Sequence, residues 1–220
     1  MPAREPARAK RDAAATQKRL LDAAEQQFAC HGYAGARLKD IAAAASVQIT
    51  LVHHYFGDKE GLYRAVLERL LTPTQAQSLS LLQTQPDLES VARGFVTLLT
   101  HLYGEHRNLL AILRHEAGGG SGVLADILRE RMKPVADAAT ALVLDMQARG
   151  EIRKDLSAVE IVALTMSMAA YPFVDGVVLD TVLPGAVPSG EQALSRRCDA
   201  ITILLTQALS PSRAPDGGKP

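Results

Sequence analysis

Apolar residues recur along this chain at helical spacing almost from end to end. In residues 16–29, Leu20 or Leu21, Ala24 and Phe28 share one face, so a first helix is predicted there. Thr16 is its candidate N-cap, and Gly32 can end it in a left-handed conformation with Tyr33 packing back. Leu38, Ile41, Ala42 and Ala45 follow at i, i+3, i+4, i+7, which makes one apolar helix face. About one turn later Val52, Tyr55 and Phe56 give a second short helix an inward face, while Gln48, Thr50, His53 and His54 point elsewhere. The alanines from Ala42 to Ala45 are small enough for another helix to cross closely, as a helix-turn-helix requires. Asp58 is the N-cap candidate of the next helix, over residues 58–71, with Leu62, Val66 and Leu70 inward.

The pattern then loosens. Pro73 interrupts that helix or marks its end, and residues 74–86 read as a weakly helical extension or a loop. Pro86 and Asp87 open a strongly amphipathic helix carrying Leu88, Val91, Phe95, Leu98, Leu99 and Leu102. Residues 108–117 form another, which ends on the polar pair His115 and Glu116. The glycines of 118–122 break the chain, and neither a phosphate-binding loop nor a nucleophile elbow fits their spacing. One long helix is expected over 121–149, kinked at Pro134 and ended by Gly150. A very apolar one is expected over 157–180, kinked at Pro172, and a last one over 191–209. Residues 1–14 and 211–220 lack periodicity and are expected to be disordered.

Composition sharpens this to an all-α fold of about nine helices: Ala and Leu dominate, and aromatic residues are only 4%. The chain is formally neutral, but residues 1–70 hold 11 Lys and Arg against 8 Asp and Glu. That asymmetry has the sign a DNA-facing N-terminus needs, and Arg4, Arg8, Lys10 and Arg11 form a basic arm. Cys30 and Cys198 have no metal spacing, so reduced thiols in a cytoplasmic protein are expected. The N-terminus has no signal-peptide pattern, and the longest charge-free apolar run, residues 161–174, is short for a membrane span, so no membrane partner is expected. No carboxylate pair, metal cluster or nucleophile motif stands out, which argues against an enzyme, and no cofactor is expected.

The stretch from 37 to 63 resembles the DNA-binding domain of the TetR (tetracycline-repressor) family of bacterial regulators. The resemblance is carried by Asp40, Ile41, Ala42, Val47, the cluster His53, His54, Tyr55, Phe56, and Lys59, Glu60, Leu62 and Tyr63, and it covers roughly the first 70 residues. The chain departs from the family at Arg37 (usually Thr or Ser), Ser46 (usually Gly), Gln48 (usually Ser) and His53 (usually Tyr). The resemblance implies a helix-turn-helix domain over 15–62, then a helical ligand-binding and dimerisation domain over 63–210. It also implies a homodimer through the last two long helices, an operator of double-stranded DNA, and a small-molecule effector.

Roles can be set out on that basis. Gln48 and Thr50 suit base edges, with Ile49 adding an apolar contact. His53 and His54 donate to phosphates in the family's pattern, Lys39 and Lys59 are further phosphate candidates, and Arg37 is a further DNA-binding candidate. An effector pocket is expected among Phe95, Leu99, Tyr103, Leu113, Leu128, Met132, Met166, Met168, Tyr171 and Phe173, with His115 and Glu116 as polar anchors. The same set at helical spacing also fits plain core. Activation instead of repression, and a small-molecule carrier with a degenerate DNA-binding domain, are the alternatives.

Overall fold

The structure is a computed structural model that describes residues 5–84, 87–118 and 121–211, with backbone alone for 5–11, 105 and 117. The described residues form eleven helices. They are α1 (Glu5–Gly35), α2 (Leu38–Ala44), α3 (Ile49–Phe56), α4 (Lys59–Gln83), α5 (Leu88–Glu105), α6 (Arg107–Ala117), α7 (Val123–Arg131), α8 (Lys133–Arg149), α9 (Ala158–Val174), α10 (Gly176–Val182) and α11 (Glu191–Leu209). The chain divides into two compact units, one of residues 1–72 with 106–130, the other of 73–105 with 131–220. The expected boundary at 62/63 differs from this division, because α6 and most of α7 belong with the N-terminal helices.

In the first unit Leu20, Ala24, Phe28, Ile41, Val52, Leu62, Tyr63, Val66, Leu109, Ile112 and Ile127 are buried, each large one contributing about 1.5–3 kcal/mol. α1 begins at Glu5, well before the expected start, because residues 7–15 are rich in Ala, Arg and Lys, all good helix formers. The expected disorder over 5–14 is therefore corrected, while residues 1–4 and 212–220 lie outside the described residues. Thr16 is no cap: it sits inside α1, with its hydroxyl donating to the Asp12 carbonyl at 2.8 Å. Gly32 does break the helix, at φ 66° and ψ 176°, a region open essentially to glycine. Asp58 caps α4 as expected, its Oδ1 accepting from the Gly61 amide at 2.8 Å.

α4 does not stop at Pro73 but runs to Gln83. Leu70, Thr74, Ser78 and Leu82 are all buried at i+4 spacing, so one packed stripe continues past the proline. In the second unit α5 packs on α11 and α9, and α8 on α9. Val96, Leu99, Val135, Met146, Ile152, Ile161, Ala169, Ile201 and Leu205 lie in its core. The helix expected over 121–149 is two helices, and Pro134 stands in the first turn of α8, where its missing N–H costs nothing. Pro172, by contrast, is buried inside α9, and the turn comes later, at Asp175, where α10 leaves at 84°. Gly150, at φ 77°, closes α8 in the left-handed region. Among the described residues no single helix is long and apolar enough to cross a membrane.

Candidate nucleic-acid interface and apolar cavity

The turn between α2 and α3 is tight. The amides of Ser46 and Val47 donate back to the carbonyls of Ala43 and Ala42, both at 3.0 Å. This forces Ser46 to φ 56°, a left-handed conformation that costs a side-chain-bearing residue about 1–2 kcal/mol. Gln48 is then extended and α3 begins at Ile49. α3 buries Val52 alone, with Tyr55 and Phe56 half-buried. Gln48, Ile49, Thr50, His53 and His54 are exposed, and Ile49/His53 and Thr50/His54 stand one turn apart on the same side. The sequence-predicted reading set is thus brought together on one surface of the first unit.

The cations around it are held to different degrees. Arg37 and Lys39 are exposed, and Arg37 occupies the N-cap of α2 without a side-chain capping bond. His53 Nδ1 donates to the Gly57 carbonyl at 2.7 Å, which fixes the ring and turns Nε2 away from the backbone. Lys59 is the most ordered: Nζ donates to the Ala34 carbonyl at 3.2 Å and lies 4.8 Å over the Tyr33 ring. Burial pushes its pKa down. Two of its three N–H groups remain for an anion.

The residues expected around an effector do not gather in one place. Leu113, His115, Glu116 and Leu128 belong to the first unit. His115 and Glu116 are taken up there: His115 Nε2 donates to the Ala29 carbonyl at 3.1 Å, and Glu116 accepts from Tyr63 Oη at 2.9 Å. The rest lie in the second unit. Phe95 and Leu99 are core residues, and Tyr103, Met132, Met166 and Met168 pack against that core. Phe173 stacks on Tyr103 at 6.4 Å, and Tyr171 is exposed. Burial raises the Tyr103 pKa.

A cavity of about 60 Å³ does lie in the second unit, between α5, α8, α9 and α11. Of the expected residues Phe95 alone lines it. Leu88 and Val91, on the stripe that predicted α5, line it too, with Leu142, Met146 and Ile161. Nothing in the sequence separates a wall residue from a core residue at such positions, since both are apolar. The one polar wall residue, Thr165, spends its hydroxyl on the Ile161 carbonyl at 2.8 Å. Among the described residues no group of three His, Cys, Asp or Glu side chains is placed to hold a metal.

Residues 20–66 match the model of the bacterial regulatory proteins of the tetR family. Over 166 residues the chain is 32% identical to the HTH-type transcriptional repressor SCO4008 of Streptomyces coelicolor, covering 76% of this chain and 82% of that one. The chain belongs to the TetR family. This TetR-family protein is also 28% identical over 142 residues to the HTH-type transcriptional regulator RutR of Escherichia coli, covering 64% of this chain and 66% of RutR. Its fold is that of the putative regulator SCO4942 of Streptomyces coelicolor (TM-score 0.67, 22% identity, 88% of this chain and 98% of that one). It is also that of FadR from Bacillus subtilis in complex with stearoyl-CoA (TM-score 0.68, 16% identity, 87% and 98%). The TetR-family chain is a helix-turn-helix transcription regulator and not an enzyme.

Proposed function

We propose that this regulator is a homodimeric repressor that leaves a palindromic operator when a small, largely apolar molecule occupies the second unit. The observation that carries the DNA reading is α3, a helix that buries one side chain and offers Gln48, Ile49, Thr50, His53 and His54 to a groove. Two copies related by a twofold axis would set their α3 helices in successive major grooves about 34–36 Å apart. Lys59, Lys39 and Arg37 hold phosphates and fix the register. The repressor sense follows the name of SCO4008. A regulator of transcription works where the DNA is, so the protein acts in the cytoplasm.

The effector reading rests on the cavity. Its lining offers no charge and no free hydroxyl, so whatever part of a ligand enters it is hydrocarbon. The stearoyl-CoA of the FadR complex has such a part. At about 60 Å³ the space is smaller than a benzene-sized guest needs, so binding selects a state with the walls moved apart. α4 contributes residues to both units and is the element along which that change reaches DNA affinity.

The deciding experiment is fluorescence anisotropy of the purified protein on DNA from upstream of its own gene, at several salt concentrations, against a scrambled duplex. Tight, sequence-dependent binding with a steep salt slope is expected. Equal, weak binding to both duplexes at low salt would defeat the operator assignment and favour a carrier. Transcript levels in a deletion strain then fix the sign: a rise for a repressor, a fall for an activator.

A further inference from the structure

We propose that Glu116, at the end of α6, is a positioning residue for the DNA-reading head, acting through Tyr63 and Tyr33 on Lys59 without touching DNA. The proposal rests on Lys59 being a phosphate contact, as argued above.

α6 packs on α1 within the first unit, and polar bonds hold it at both ends. Near its start Asn108 Nδ2 donates to Glu25 Oε1 at 2.9 Å. At its finish His115 donates to the Ala29 carbonyl, in the last turn before α1 breaks at Gly32. The imidazole lies directly on that break: a Cβ at Gly32 would come within 3.1 Å of it. The positive φ and the absent side chain of Gly32 together let His115 sit where α1 turns toward α2.

Glu116 reaches further. It accepts the hydroxyl of Tyr63, whose ring is 1% exposed and stands edge-on to Phe28 with centroids 4.7 Å apart. Tyr63 meets Tyr33 at 5.0 Å, and the Lys59 ammonium lies over the Tyr33 ring. The chain Glu116, Tyr63, Tyr33, Lys59 is continuous, and its last member stands at the start of α4, just past the reading helix. Ser121, in the segment leading to α7, donates to the same Glu116 carboxylate at 3.2 Å and accepts the Val123 amide. Any rearrangement at the α6–α7 connection therefore reaches the tyrosine stack through one carboxylate.

The test uses the full chain and the duplex that the wild type selects from a random pool, at a temperature where circular dichroism shows every variant folded. Glu116→Ala is expected to weaken binding about 5-fold or more. Glu116→Gln, whose amide oxygen accepts the same Tyr63 hydroxyl, should restore it to within about twofold of wild type. Lys59→Ala weakens binding directly, and adding Glu116→Ala to it should cost less than about twofold more, because the carboxylate acts through the lysine. Wild-type affinity for Glu116→Ala, failure of Gln to rescue, or strictly additive losses would each overturn the proposal. If the wild type selects no sequence at all, it is the operator reading that fails.

Discussion

At the scale of single residues the first unit is held by groups with definite partners, and Tyr63 is the most informative. Burial first, and then the Glu116 carboxylate, push its phenol far above the usual value of 10. The folded chain keeps this proton where the unfolded chain has lost it. Stability is thus fully present below pH 10 and declines above it, by up to about 1.4 kcal/mol per pH unit from this group. Tyr63→Phe loses a hydrogen bond and should be less stable by about 1 kcal/mol at pH 8. Urea denaturation should show that deficit shrink at pH 10.5, since the variant lacks the titrating group; a constant deficit would mean that Tyr63 ionises equally in both states. Residues of this kind were unequally legible in the sequence. Asp58 and Gly32 declared their roles because a cap and a positive φ are local demands on residue type. His115 and Glu116 did not. A polar pair at a helix end looks the same whether it faces a ligand or, as here, the Ala29 carbonyl and Tyr63, and only the fold supplies the partner.

At the scale of elements, α2 starts without a side-chain cap. Arg37 holds the extended N-cap geometry, φ −121° and ψ 133°, but gives α2 no side-chain bond. Arg37→Thr places a hydroxyl where it can accept from the second or third helical amide. It should stabilise the protein by about 1 kcal/mol and raise Tm by about 2–4 °C. If Arg37 also holds a phosphate, the salt slope of operator binding should fall by about 0.9 for each phosphate that is no longer neutralised. A melting scan and a salt titration on the same sample separate the two effects. A higher Tm with an unchanged slope would leave Arg37 as a poor cap and nothing more. The bounds of such elements were readable where apolar residues marked the packed face, as in α5, and misread where they did not. α4 passes Pro73 on a stripe that sets Thr74 and Ser78 between Leu70 and Leu82, and two small polar residues in a buried row hide it from any hydrophobic pattern. α7 and α8 looked like one helix because both carry apolar faces, although Pro134 was already marking the first turn of a new one.

At the scale of the whole molecule, the second unit leaves a surface that a monomer does not explain. Leu164, Tyr171 and Val174 of α9 are exposed at helical spacing, and Ile203 and Leu204 of α11 are at least half exposed. Val177, Val178 and Val182 of α10 continue the apolar row, Val177 at 83% exposure. Small residues, Ala163 and Ser167 on α9 and Ala200 on α11, sit exposed beside them and would let a second helix pair approach closely. Isolated exposed apolar residues need no explanation, but a run across three helices marks an association surface. In the proposed homodimer a second copy of the chain covers this surface, and a twofold pair would double the contacts to a palindromic site. Leu164→Arg would then enter the interface twice, once from each subunit, and desolvate two charges without a partner. Sedimentation should show a dimer converted to a monomer whose circular dichroism is unchanged. Operator affinity should fall by about 100-fold or more as two linked half-sites become one. A variant that stays dimeric would place the interface elsewhere, and a monomer that keeps full operator affinity would mean that each chain reads its site alone.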